Sequence, residues 1–473
     1  MRVVVTLFSN RAPQQTTLQR SLGPFQFFTI GFGAILGVAW AIVLGDWLAA
    51  AAPLGALIGF VCGGLAMLLI AACYAELATV LPRTGGDIVY AFELFGSVPA
   101  FFVGWFLVLM GVAMTSFEAI SLAWLADAIF PGHQGYVVYS MFGQDIRIGA
   151  LVLGAAVTLI IGAANYLGSH SSSRLQDLFT CVKASAVIAF VIAAWTAGTA
   201  HNLLPLTQPT SGRPLWVGAL WIAATGPVWY GGFQIVPQGV EERRAGTSLR
   251  MIGWMTLLSV AAGIVFYCSV ILAAAFVFPW KSLVTQPLPA TAAIRAAFHD
   301  GAGSSLVLGA IVLGILATWN ACFIWSTRVL VAMGRMQLAP PIFAATNRYG
   351  GPKFATYFVI LIGLIGVSLG RGAIEPIVSM AAIALAGSYF LSCWTTLKLR
   401  HLRPDADRPF RVPGGTMTLR LIIGLSAAMA LVSLIEPAAR GRRIPLEWIL
   451  LLIWAAAGAV VWHVARKRPE RRL

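Results

Sequence analysis

The chain has 473 residues, of which 59% are hydrophobic and 10% charged, and its mean hydropathy is +0.83. Water-soluble domains carry about 25% charged residues, which excludes a soluble globular fold, and one bilayer span needs about 20 apolar residues. The net charge of +15 does not point to nucleic acid, because the basic residues sit in short links between apolar runs, where they orient a membrane protein.

In chain order, a polar tail (1–25) precedes apolar segments at 26–50, 54–80, 97–129, 149–168, 178–199, 214–238, 252–278, 305–334, 354–370, 373–397, 418–435 and 446–463. No cleavable signal precedes the first of them, so that segment is expected to stay in the mature protein. The separators carry turn chemistry, among them Pro53, Pro82, Pro131-Gly132, Pro205, Pro279, Pro340-Pro341 and Pro413-Gly414. The third segment is longer than a bilayer requires and is expected to tilt. Of the 32 Lys and Arg, 22 fall in the N-terminal tail and every second link, and 8 on the other side. Lys183 and Arg328 lie within segments. The positive-inside rule then places both termini in the cytoplasm and makes the number of spans even, twelve. The cluster Arg440, Arg442, Arg443 on the outer side is an exception. The six cysteines all lie in apolar runs without CxxC spacing, and the six histidines form no ligand pattern. They are read as ordinary residues, with no metal or cofactor expected.

Two segments are interrupted. The first reads Ile30-Gly31-Phe32-Gly33-Ala34-Ile35-Leu36-Gly37-Val38-Ala39, and each glycine costs a helix about 1 kcal/mol relative to alanine. The sixth reads Gly226-Pro227-Val228-Trp229-Tyr230-Gly231-Gly232-Phe233-Gln234-Ile235-Val236-Pro237. Unwound backbone inside a bilayer is tolerated only where protein or a water-filled cavity satisfies it. The breaks are five spans apart, an odd number, so the second set enters from the opposite side. Interruptions at matching positions of two inverted halves point to a transporter's substrate site; the competing explanation is close helix packing at glycines. The halves would be residues 26–199 and 214–397, joined by an outer link at 200–213. A cytoplasmic link (398–417), two peripheral helices (418–463) and a basic tail (464–473) would follow.

The link after the second segment reads Tyr74-Ala75-Glu76-Leu77, then Pro82-Arg83-Thr84-Gly85-Gly86, Tyr90 and Phe95-Gly96. It resembles the signature of amino acid permeases in the amino acid–polyamine–organocation (APC) superfamily. The resemblance continues at Gly231-Gly232-Phe233 with Glu241-Glu242, at Arg328-Val329-Leu330 through Arg335 and Pro340, and at Arg403-Pro404 and Arg408-Pro409-Phe410-Arg411-Val412-Pro413-Gly414. It implies an all-α polytopic membrane protein of 12 transmembrane helices: two inverted five-helix repeats with broken helices 1 and 6, plus two peripheral helices. It also implies secondary active transport of amino acids or related small amines by alternating access, proton-coupled or exchanging, in the cell membrane. The substrate would sit at Gly33, Ala34, Gly37, Val38 and Ala39 of the first break and Trp229, Tyr230, Gly231 and Gly232 of the second. Its carboxylate would lie on exposed amides and its amine on carbonyls, in keeping with the polarity of half-helix ends. Where the family usually has Gly-Ser-Gly, this chain has Gly37-Val38-Ala39. That loss of a hydroxyl raises the alternative of a polyamine or monoamine transporter lacking carboxylate recognition.

Charges inside spans cost about 3 kcal/mol on insertion scales. Lys183 matches a lysine that, in proton-coupled relatives, stands where sodium binds in others. It is the candidate proton-coupling residue, with snorkelling to the surface as the competing explanation. Glu118 is expected somewhat outward of Lys183 and unpaired with it; it either faces the cavity and binds a substrate ammonium group, or is a structural acid. Tyr230 is the candidate outer gate. Glu76 and Arg83 flank the cytoplasmic link, as a gating salt bridge or as solvated surface, and Arg328 would pair with such acids. Asp46, Trp47 and Asp127 are assigned to the interface. Neither a Walker phosphate loop nor an HExxH or GxSxG motif occurs, so neither an ATP-driven pump nor a membrane enzyme is expected. Short tails argue against a nutrient sensor. The partners expected are a small substrate, protons and the lipid bilayer.

Overall fold

With no water to accept their backbone hydrogen bonds, apolar runs of this length must close those bonds internally, as helices. The computed structural model describes residues 22–37, 39–81, 86–129, 135–167, 173–299, 301–439 and 445–467, and they are almost entirely helical. The helices are α1 (Pro24–Ile35), α2 (Ala39–Val80), α3 (Gly86–Phe95), α4 (Ser97–Ile129), α5 (Ile148–Tyr166), α6 (Ser173–Ala197), α7 (Leu215–Ala224), α8 (Gly226–Trp229) and α9 (Ile235–Gln238). They continue with α10 (Leu249–Val277), α11 (Trp280–Leu283), α12 (Pro289–Ala297), α13 (Ala302–Arg335), α14 (Lys353–Leu369), α15 (Ile374–Leu402), α16 (Gly415–Ala439) and α17 (Leu446–Arg466). Among the described residues, nine helices are long and apolar enough to cross a membrane, and α1, α7 and α14 are shorter apolar helices. The chain is an all-α polytopic membrane protein.

α2 has two legs. Ala52 takes φ 53, ψ 174 immediately before Pro53, because proline's ring bars the helical conformation from the residue that precedes it. The first leg begins after the break at Leu36-Gly37, and the second follows the kink at Ala52. Glycines allow close approach along these legs: a Cβ on Gly218 would stand 2.1 Å from the Ala50 carbonyl, and one on Gly59 would stand 2.8 Å from that of Ala219. α1 is clasped by α10 and α6, while α4 lies against α13 and α15. Outward-facing side chains such as Ile160, Val265, Leu306 and Leu452 are 65–75% exposed, which suits lipid and not water. α17 is the most peripheral helix, held through Trp454 stacked on Trp105 at 4.4 Å.

Two links hold structure that hydropathy does not signal. Residues 137–147 form an antiparallel hairpin, β1 (Val137–Met141) with β2 (Gln144–Arg147). Its two-residue turn uses Phe142 and Gly143, both at positive φ (51° and 74°), as a tight right-twisting hairpin requires. The link between α10 and α13 folds back as α11 and α12, with Trp280, Ala290, Ala293 and Ile294 fully buried against α2 and α6. The Trp280 indole nitrogen donates to the Pro205 carbonyl at 3.1 Å.

Candidate functional site

The first apolar segment does break where its glycines crowd. α1 stops at Ile35; Leu36 N donates back to Phe32 O and Gly37 N to Ile35 O, after which the chain restarts as α2 at Ala39. The sixth segment is likewise divided into α7, α8 and α9, with Tyr230–Gln234 outside regular helix. The two breaks touch. A Cβ on Gly232 would lie 2.5 Å from the Ala34 Cβ, and Gly232 holds φ +108, so contact and conformation both demand glycine there. Gly232 N donates to Gln234 Oε1 at 2.9 Å. Gly231 leaves no more room, since a Cβ there would stand 2.7 Å from Pro227 O.

Lys183 reaches this junction from α6. Its ammonium group is buried and donates to the Gly33 carbonyl at 2.8 Å, so it does not snorkel. Gly33 permits that approach, because a Cβ would collide with Thr180 Oγ1. Glu118 on α4 is also buried; its Oε2 has no hydrogen-bond partner. α4 holds 33 residues, about 50 Å of helix, too long for depth in the bilayer to be read by counting along it. Beside Gly37 and Lys183 a cavity of about 10 Å³, lined also by Leu36, Trp40 and Val187, has room for one water molecule. Ala39, half-buried, opens α2. Val38 lies outside the described residues.

Aromatic rings close the junction from two directions. On one side Trp47 packs edge-on to Phe60, Trp229 and Tyr267, and the Tyr230 hydroxyl donates to Phe60 O at 2.7 Å. The Trp229 indole donates to Thr225 Oγ1 at 2.9 Å. Trp47 is thus a core residue rather than an interfacial one. On the other side Tyr74, Phe233 and Tyr389 meet within 5.3–5.7 Å, and Tyr389 donates to Gln234 Oε1 at 3.3 Å. A larger cavity of about 190 Å³ lies apart from the breaks, under the hairpin, lined by Trp124, Asp145 and Arg371.

The expectation for Glu76 needs correcting in its surroundings. Glu76 is 1% exposed, not solvated. It accepts from Arg400 at 2.7 and 2.5 Å and from Val412 N at 2.7 Å, with Arg408 at 3.5 Å. Arg83 lies outside the described residues. Arg328 is exposed and forms no ion pair with Glu76. The residues missed by sequence reading are Tyr267, Tyr389, Arg400 and Arg408. The tyrosines sit in apolar runs like any core aromatic, and the arginines count equally well as orientation charges.

A helix whose last carbonyls are unpaired attracts cations, and one whose first amides are unpaired attracts anions. Two broken helices meeting at the centre of an apolar bundle, with buried lysine and glutamate beside them, define a membrane transporter rather than an enzyme. The comparisons agree. The family described as amino acid permease matches residues 22–460, and the chain belongs to that family. It is 24% identical over 463 residues to the methylthioribose transporter of Bacillus subtilis, covering 96% of this chain and 94% of that protein. It is equally 24% identical over 480 residues to the branched-chain amino acid permease BcaP of the same species, covering 97% and 95%. Against the b(0,+)-type amino acid transporter 1 of Homo sapiens it is 24% identical over 428 residues, covering 89% and 84%.

Proposed function

We propose that this permease is a secondary active transporter that binds an amino acid, or the related amine, between the two helix breaks. It carries the substrate by alternating access through twelve spans in two inverted repeats, in a cell membrane with both termini cytoplasmic. The observation that carries the reading is the junction itself: Gly232 seated on Ala34, with Lys183 bound to the carbonyl of Gly33. The substrate's amine would take the carbonyl ends of α1 and α8, and its carboxylate the amides that open α2 at Ala39. Glu118, lacking a partner at Oε2, is the acid that favours a cationic amine in the cavity. Lys183 is the coupling residue. When protonated it holds α1 through Gly33; on losing its proton it keeps a weaker hydrogen bond and releases the half-helix to move. Tyr230 and Trp229 form the outer closure, and Tyr74, Phe233 and Tyr389 the inner one.

Uptake into proteoliposomes under an imposed pH gradient, with each amino acid beside its decarboxylated amine, tests the reading. Accumulation of amino acids supports a carboxylate held on backbone amides alone. Accumulation of amines only would give the alternative specificity, with Glu118 as anchor. Accumulation of neither would overturn the proposal.

A further inference from the structure

One side chain touches both breaks. Tyr267 projects from α10, 2% exposed, with its hydroxyl 3.0 Å from the carbonyl of Trp229 and 3.3 Å from that of Ile35. These are the terminal carbonyls of α8 and α1, beyond the reach of a regular helical partner; that of Ile35 also accepts from Gly37 N at 2.7 Å. The ring is fixed on three sides, stacked on Phe60 at 4.7 Å and edge-on to Phe266 at 4.8 Å and Trp47 at 5.8 Å. The hydroxyl is therefore held in position by packing. A phenol has a single proton, so it satisfies only one of the two carbonyls at a time, whereas an ammonium group brings three donors.

We propose that Tyr267 is a specificity-determining residue whose hydroxyl stands in for the substrate's ammonium group in the closed, empty site. Substrate enters by taking the Trp229 and Ile35 carbonyls away from it. A ligand with several N–H donors can bond both carbonyls at once, as the single phenol proton cannot; a ligand without them cannot displace it. The inference rests on the reading that the amine binds at the two breaks.

The test uses the full chain in proteoliposomes. Uptake of the twenty common amino acids and their decarboxylated amines first identifies the tightest ligand. That ligand and its deaminated analogue are then compared in the parent protein and in Tyr267→Phe, which keeps the ring and removes the hydroxyl. The expected result is binding of the amine-bearing ligand about fivefold tighter in the variant, the equivalent of about 1 kcal/mol, with the deaminated analogue unchanged. The melting temperature of the empty variant should fall and return to the parent value when ligand is added. A merely structural role would lower both melting temperatures and weaken both ligands alike, and that result would overturn the proposal, as would no change in either. If the deaminated analogue binds the parent protein as well as the amine does, the placement of the amine at the breaks itself fails. Should Tyr267→Phe not assemble, Tyr267→Leu also lacks the hydroxyl and permits the same comparison.

Discussion

At the scale of single residues, the junction depends on groups that leave no tolerance. Gly232 combines positive φ with a neighbour 2.5 Å from where its Cβ would stand. Gly232→Ala therefore adds about 1–3 kcal/mol of backbone strain to a steric clash, and uptake at matched protein levels should fall at least about tenfold. Parent-like uptake would show that the breaks do not meet there. Lys183→Ala removes the side chain that donates to the Gly33 carbonyl. Accumulation driven by a pH gradient should be lost while substrate exchange persists, and unchanged accumulation would remove Lys183 from coupling. Glu118→Gln should weaken cationic ligands by about 1–3 kcal/mol, the range for a lost charge-assisted bond. Equal affinity in a binding measurement would take Glu118 out of the site. The glycines of both breaks, Lys183 and Glu118 were all legible in the sequence because charge and helix-breaking residues stand out in an apolar run. The hydrogen bond from Lys183 to the carbonyl of Gly33 was not, since a sequence does not show which helices a buried side chain reaches.

At the scale of elements, the link from α15 to α16 works as a strap. Arg400 at the end of α15 and Val412 in the link share Glu76 of α2, and Arg400 also donates to Val412 O at 3.1 Å. Phe410 lies over Gly253 of α10, where a Cβ would stand 2.6 Å from its ring, and the carbonyl of Phe410 accepts from Thr79 at 3.3 Å. The strap thereby joins α2, α10 and α15. Glu76→Ala leaves buried guanidinium groups uncompensated and should destabilise the protein by about 3–5 kcal/mol, read as a fall in melting temperature in detergent. A parent-like melting temperature would show that the pair contributes nothing. α3 is docked through Asp87, whose buried carboxyl accepts from Ser392 at 2.8 Å and is pushed above the usual carboxylate range by desolvation. A group raised in the docked state stabilises docking at low pH and loses that effect as pH climbs through the raised value. Amide exchange in α3 should therefore quicken with pH beyond its intrinsic rate, and Asp87→Asn should abolish the excess. The strap's motif was recognisable in sequence, but its role was not. A charge count cannot tell an arginine that orients the chain from one that folds back onto Glu76, and the hairpin at 137–147 escaped because hydropathy carries no information about a turn such as Phe142-Gly143.

At the scale of the whole molecule, the helices follow closely the apolar segments and their proline punctuation, since a bilayer leaves the backbone little alternative. Both faces of the junction are shut by aromatic rings, and the cavity between Gly37 and Lys183 is about 10 Å³, too small for any amino acid. Under the proposed alternating access each aromatic cluster would open in turn, with Tyr230 tied to Phe60 on one side and Tyr389 tied to Gln234 on the other. The most direct test of that central claim is uptake into proteoliposomes under an imposed pH gradient, with amino acids and their decarboxylated amines offered side by side. Accumulation of one of these classes, abolished by Gly232→Ala and uncoupled from pH by Lys183→Ala, is the result predicted here. Accumulation that survives both substitutions would contradict it.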